Sequence, residues 1–291
     1  MSHNERLITD FKEFLERENK SANTIKSYIS EVKLFLKWLE ETEGREIKID
    51  EVFTGDIKSY KEYLLSRRKT PNTINKKIES LRSFFDAFLG KHIVSLPKVK
   101  QQGNTVKWLS RNEKNALLRV VNREDLFKGD FLGFRNRAII YTFLLSGLRL
   151  NELINLRWED WKNGYIEVVG KGGKYRRVET NSELRKIFTE IKEKQQEKGI
   201  QSDYIFCTTK GKPLQVPTLE DIFKKINKQL DFKVTPHMLR HTFAHDLIQK
   251  GVRIDLVADI LGHSQLETTR IYTTPSAEER RKAVESLELG I

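Results

Sequence analysis

Thr70-Pro-Asn-Thr-Ile-Asn-Lys-Lys-Ile-Glu-Ser-Leu-Arg-Ser-Phe-Phe-Asp-Ala-Phe-Leu-Gly90 reads as one amphipathic helix. Thr70-Pro71-Asn72-Thr73 opens it, with Pro71 in the first turn, where its missing N–H costs nothing. Ile74, Ile78, Leu81, Phe84, Phe85 and Phe88 recur at helical spacing and define a buried face, and Gly90 ends the pattern. Upstream the same period repeats. Leu7, Ile8, Phe11 and Phe14-Leu15 mark a first stripe. Ser21-Ala-Asn-Thr is a capping signal for a second, carried by Ile25, Tyr28, Ile29, Val32, Phe35, Leu36 and Leu39. Thr54-Gly-Asp opens a third. Four helices with short connections predict a small bundle.

Downstream, Leu96-Pro-Lys-Val-Lys-Gln-Gln-Gly-Asn-Thr105 has no periodicity but has Pro, Gly and charge, as a linker does. We therefore expect a helical domain at 1–98, a linker at 99–106 and a second domain at 107–291. In that second domain Ser110 caps a helix, and Phe134 to Ser146 forms a long buried one. Tyr165-Ile-Glu-Val-Val169 and Tyr175-Arg-Arg-Val178 read as two strands joined by Gly170-Lys-Gly-Gly-Lys174. Helices resume to about residue 288. The expected class is mainly α with a small β-sheet.

Composition narrows the partners. The 291 residues carry 53 Lys+Arg against 41 Asp+Glu, a net charge of +12. Residues 57–100 alone hold 11 basic and 3 acidic side chains, whereas the opening stretch is slightly acidic. Such a surplus favours a polyanion, nucleic acid or an anionic membrane surface. The most apolar stretch, Ala138 to Leu145, falls far short of the ~20 residues a bilayer span needs. The chain opens Met-Ser-His-Asn-Glu-Arg, without an apolar signal region. The single cysteine, Cys207, allows no internal disulfide and fits a reducing cytosol. These features predict a basic cytoplasmic protein that binds nucleic acid, not a membrane.

The residues able to do chemistry are scattered. Gly170-Lys-Gly-Gly-Lys174 lacks the Ser/Thr and the glycine offset of a nucleotide phosphate loop, which leaves a hairpin tip carrying Lys171. His237, His241 and His245 share a helical face, but Met238 and Thr242 stand where a metalloprotease has glutamate, so no metal site is assigned. His237 and Arg240, three apart and just after Pro236, project from one face near a helix N-terminus, a plausible phosphate site or a structural pair. Arg149 follows Ser146-Gly147-Leu148 beside the buried helix, with Glu152 three residues on to orient it or merely to pair with it. Leu261-Gly262-His263 closes the face of Ile254, Leu256, Val257 and Ile260. Tyr272 follows nine residues after His263.

Taken together, Arg149 in Ser-Gly-Leu-Arg-Leu-Asn-Glu-Leu, Lys171 in Gly-Lys-Gly, His237-x-x-Arg240, Leu-Gly-His263 and Tyr272 resemble the signature of the tyrosine recombinases, the phage integrase family, and in particular Xer-type enzymes. The surrounding strings Thr235-Pro-His-Met-Leu-Arg-His-Thr-Phe-Ala244 and Leu261-Gly-His-Ser-Gln-Leu-Glu-Thr-Thr-Arg-Ile-Tyr272 agree. So do Ser21-Ala-Asn-Thr-Ile-Lys-Ser-Tyr and Asn72 to Phe85, which resemble the family's SAM-like core-binding domain. The resemblance covers nearly the whole chain.

It implies a core-binding bundle and a mixed α/β catalytic domain closing as a clamp on double-stranded DNA, and site-specific cutting and rejoining of strands. Tyr272 is the nucleophile the family suggests. Its phenol is mostly neutral at pH 7 and needs a base, for which His237 is the expected acceptor. Arg149 and Arg240 offer permanently charged, fork-shaped donors to the non-bridging oxygens, and His263 adds a third donor. Lys171 is expected to protonate the departing 5′-oxygen. The resulting 3′-phosphotyrosyl bond stores the phosphodiester energy, so neither ATP nor metal is implied. Lys61, Arg67, Arg68, Lys76, Lys77 and Arg82 are candidate phosphate contacts.

The family works as a homotetramer on two synapsed sites, in places with a paralogous recombinase or accessory protein. Ser276 to Leu287 is expected to form a terminal helix that docks on a neighbour or on its own domain. With no additional N-terminal arm-binding domain, the expected role is resolution of chromosome or plasmid dimers, or resolution or integration of a mobile element. Two other readings predict different products. A type IB topoisomerase or telomere resolvase would give single-cut relaxation, and a non-catalytic DNA-binding protein on the same scaffold would bind without a covalent adduct.

Overall fold

The computed structural model describes residues 3–100, 107–127, 129–162, 164–169 and 175–262. The chain divides into two compact units, Met1–Asn104 and Thr105–Ile291. Lys171, His263, Tyr272, the hairpin tip 170–174, linker residues 101–106 and the segment Ser276 to Leu287 lie outside the described residues.

The first unit follows the apolar stripes. Helix α1 is His3–Arg17 and α2 is Ala22–Glu43, whose N-cap Ser21 accepts from Thr24 N–H and whose Gly44 closes it in the left-handed region. Helix α3 is Thr54–Ser66, and α4 is Pro71–Arg82, with the Thr70 hydroxyl accepting from Thr73 N–H. The fourth helix is not α-helical to its end. Ser83–Phe88 is a π turn, closed by Leu89 N–H donating to Phe84 O. The wider turn keeps three phenylalanines inward: Phe11 meets Phe84 edge-on at 4.9 Å and Phe88 at 5.5 Å, while Phe85 meets Phe35 at 5.9 Å. Such pairs add roughly 0.5–1.5 kcal/mol each beyond burial. The chain after the π turn stays fastened to the bundle. Arg82 donates to Val94 O and Leu96 O, Lys61 to Pro97 O, and Asn75 exchanges two hydrogen bonds with the Val99 backbone.

The second unit is built round α6, Asp130–Ser146, which runs through its core and buries Phe131, Ala138, Ile139, Ile140 and Phe143. It begins four residues before the apolar run, because Gly129, at φ +86°, turns the chain and Asp130 takes the first turn. Asp130 is held there by Lys194 and Lys198. Ahead of it, α5 (Arg111–Val121) opens with a capping box in which Ser110 and Glu113 bond each other's backbone. The sheet has one strand more than expected. β1 (Trp161–Lys162), β2 (Tyr165–Val169) and β3 (Tyr175–Glu179) run antiparallel in the order β1-β2-β3, with Ile166 opposite Val178 and Val169 opposite Tyr175. Between α6 and the sheet lies the short α7, Leu150–Ile154. Helices α8 (Ser182–Glu197), α9 (Val216–Asn227), α10 (Pro236–Gln249) and α11 (Ile254–Leu261) complete the unit. On α11 the buried residues are Val257, Ala258 and Leu261. Leu256, assigned to the apolar face by its spacing, is half exposed because the helix is only eight residues long and packs along a narrow seam.

Candidate active site

Four element ends meet in the second unit. Helix α6 stops at Gly147, whose φ of +61° supplies a left-handed turn. A Cβ there would collide with the Phe243 ring, so glycine answers both the turn and the close approach of α10. Leu148 is buried beneath the turn, which aims Arg149 outward as the N-cap of α7. On the other side the Thr235 hydroxyl accepts from Met238 N–H to start α10, and Pro236 fills its first position. His237, in the first turn, and Arg240, at the start of the second, therefore face Arg149 across a cleft of about 610 Å³, lined also by Glu152, Val169 and Thr235.

Each arginine is anchored. Arg240 is 2% exposed and donates to Gly147 O at 2.5 Å and to Leu261 O at 2.6 Å. Arg149 donates to Glu152 Oε1 at 2.8 Å and to Gly262 O at 3.1 Å, while its backbone N–H reaches Glu152 Oε2 at 2.6 Å. Arg176, from β3, closes the same carboxylate with both terminal nitrogens, at 2.6 and 2.7 Å. Burial alone would raise the Glu152 carboxyl, but the hydrogen bonds from Arg176 and Arg149 outweigh it and hold the group at about 2. Glu152 is thus a fixed anion bonded by two guanidiniums, those of Arg149 and Arg176, while Arg240 lines the same cleft. The excess positive charge in a partly closed cleft suits an anionic ligand. His237 is pushed below its ordinary value, first by burial and then by the charges of Arg240 and Arg149. That shift favours the neutral ring, the form able to accept a proton.

The predicted residues fall into groups. Arg149, His237 and Arg240 come together, and Glu152 bonds Arg149 as its spacing suggested. Lys171, His263 and Tyr272 lie outside the described residues. His241 meets the His237 ring edge-on at 4.6 Å, whereas His245 stacks on Trp108. Among the described residues no group of three or more His, Cys, Asp or Glu is placed to share a metal ion. Of the six basic candidates in the first unit, Arg67, Arg68 and Lys76 are exposed. Lys77 pairs with the buried Glu31, which also accepts from Tyr60 OH at 2.8 Å. Lys61 and Arg82 are bound to backbone carbonyls of the segment 94–97.

Sequence reasoning overlooked Arg176. A signal was present, because alternation along β3 places it on the same inward face as Val178, and an inward arginine needs a buried partner.

Comparison with known proteins identifies the family. Residues 107–279 match the phage integrase family, and residues 7–94 match the N-terminal SAM-like domain of phage integrases. The chain belongs to the phage integrase family, the tyrosine recombinases, enzymes that transfer DNA strands. It is 31% identical to tyrosine recombinase XerA of Pyrococcus furiosus, over 97% of this chain and 94% of that protein. Its identity to tyrosine recombinase XerD of Listeria innocua serovar 6a is 29%, over 92% and 93%. The structure of the Tn1549 transposon integrase in complex with a circular-intermediate DNA shares the fold with a TM-score of 0.73 at 21% identity, covering 97% of this chain and 98% of that one. The class expected from the sequence, a mainly helical protein with core-binding and catalytic domains, is the class found. No helix among the described residues is long and apolar enough to cross a membrane.

Proposed function

We propose that this chain is an Xer-like site-specific recombinase that cuts and rejoins duplex DNA through a 3′-phosphotyrosyl intermediate. The observation that carries the reading is the convergence of Arg149, Arg240 and His237 on one cleft. In this mechanism the Tyr272 phenol attacks the scissile phosphorus and passes its proton to His237. The bond from phosphorus to the 5′-oxygen breaks, and Lys171 protonates the departing oxygen. Arg149, Arg240 and His263 hold the non-bridging oxygens while charge builds there, each donor being worth roughly 10²–10³ in rate. Rejoining runs the same steps backwards with a new 5′-hydroxyl.

We assign residues 1–98 to core binding and 107–291 to catalysis, with 99–106 as the connection between them. Four protomers on two synapsed sites would perform the exchange, in the cytoplasm on nucleoid DNA. Dimer resolution or movement of a mobile element is the role we assign to that exchange.

The test uses wild-type protein and Tyr272→Phe with a pool of nicked duplexes cut from the source genome, denatured after incubation. An adduct with wild type alone supports the reading, and sequencing the trapped DNA identifies the site. Tight binding without an adduct in either protein overturns it in favour of a DNA-binding protein that no longer cleaves. An adduct with Tyr272→Phe overturns the choice of nucleophile.

A further inference from the structure

The last three carbonyls at the end of α11 each take a different arginine. Ile260 O accepts from Arg176 Nε at 3.2 Å, Leu261 O from Arg240 at 2.6 Å, and Gly262 O from Arg149 at 3.1 Å. A helix C-terminus carries orphan carbonyls and partial negative charge, so three guanidiniums there are electrostatically matched. Two of the three arginines also border the cleft. Arg176 does not. Its side chain is 10% exposed, both its terminal nitrogens face Glu152, and its stem runs so close to Gly262 that a Cβ there would lie 2.6 Å from Cδ.

Contacts therefore close into a ring: Arg149 to Glu152, Glu152 to Arg176, Arg176 to the end of α11, and the end of α11 back to Arg149. Arg176 is the member that ties β3 into it. Without Arg176, Glu152 would keep only Arg149, and the α11 end would lose the bond at Ile260 O. We propose that Arg176 is a positioning residue for strand cleavage, acting through Glu152 on the guanidinium of Arg149 and through Ile260 O on the end of α11. It acts on the placement of the charge that meets the phosphate, and not on the affinity for DNA. This inference rests on the strand-cleavage reading above.

Lysine is a poor substitute by geometry. One ammonium cannot bond both Glu152 oxygens and Ile260 O from the same stem, whereas a planar fork does. The experiment compares wild type, Arg176→Gln, Arg176→Lys, Glu152→Gln and the double variant Arg176→Gln/Glu152→Gln. The probe is the nicked duplex recovered by adduct trapping. Equilibrium binding and the single-turnover rate of adduct formation are measured separately, and thermal unfolding shows which variants are folded.

The expected result for Arg176→Gln is binding within about twofold of wild type and adduct formation slowed on the order of 10²-fold, the scale of a misplacement near 1 Å. Arg176→Lys, which keeps the cation, should fold and recover part of the rate. If Arg176→Gln does not fold, the lysine variant carries the test on the same split between binding and rate. In the double variant the losses should not add, because both substitutions break one contact. A folded Arg176→Gln that cleaves at the wild-type rate, or one that loses binding and rate together, overturns the proposal while leaving the cleavage reading intact. Additive losses in the double variant also overturn it. Absence of any adduct with wild type overturns the cleavage reading, and the positioning role with it.

Discussion

Gly147 shows how one residue sets the direction of Arg149. Alanine there would hold a left-handed backbone at a cost of about 1–2 kcal/mol, and its methyl would press on Phe243 and Leu261 for about 1–3 kcal/mol more. Gly147→Ala should accordingly lower the urea midpoint of the second unit and slow cleavage; an unchanged midpoint would contradict the role given to this turn. At His237 the physical quantity is a proton. Its value lies below the ordinary 6.5 because burial, Arg240 and Arg149 all disfavour the charged ring. A base must be unprotonated to act, so single-turnover cleavage should be flat at pH 7 and fall as pH drops through that depressed value. A rate that already declines between pH 8 and 7 would argue that another group accepts the proton.

Among elements, α4 carries both structural and exposed cations within two positions. Lys77 neutralises Glu31, whose side chain is buried between α2, α3 and α4, while neighbouring Lys76 points to solvent. Lys77→Met should destabilise the bundle by on the order of 2 kcal/mol, since it strands a buried carboxylate. Lys76→Met should leave the melting temperature in place and weaken DNA binding. Equal melting temperatures would show that the Lys77 pair contributes nothing. Spacing alone cannot tell these two lysines apart, because the acid that claims Lys77 lies 46 residues away. The helices themselves were legible for the opposite reason: caps such as Ser21, Thr70 and Ser110, and stripes such as Ile74 to Phe85, are local signals. β1 was not legible, because two residues make no period and only pairing with Tyr165 and Ile166 defines it. The π turn was hidden because Phe84, Phe85 and Phe88 satisfy an α-helical stripe as well.

For the whole molecule, charge and connectivity set the expectations. Arg67, Arg68 and Lys76 are the exposed members of the basic set in the first unit. If each meets a phosphate, replacing all three with alanine should reduce the slope of log Kobs against log salt by about 2 to 3. The loss should be similar across unrelated sequences, since phosphate contacts position the protein and do not read bases. An unchanged slope would move the footprint elsewhere. Arg149 and Arg240 could be picked out by motif, but the ring through Arg176 could not, because it joins residues 149, 152, 176 and 260–262 that only folding brings together. That ring has a consequence for chain length. A residue inserted into or deleted from α11 turns its final carbonyls by about 100° relative to the rest of the unit, so all three arginines lose their acceptors in a single step. An insertion in the turn between the exposed Thr209 and Lys210 has no such lever. Length variation should therefore be absorbed at that turn and rejected between 254 and 262, which makes the short α11 the ruler against which the rest of the unit is registered.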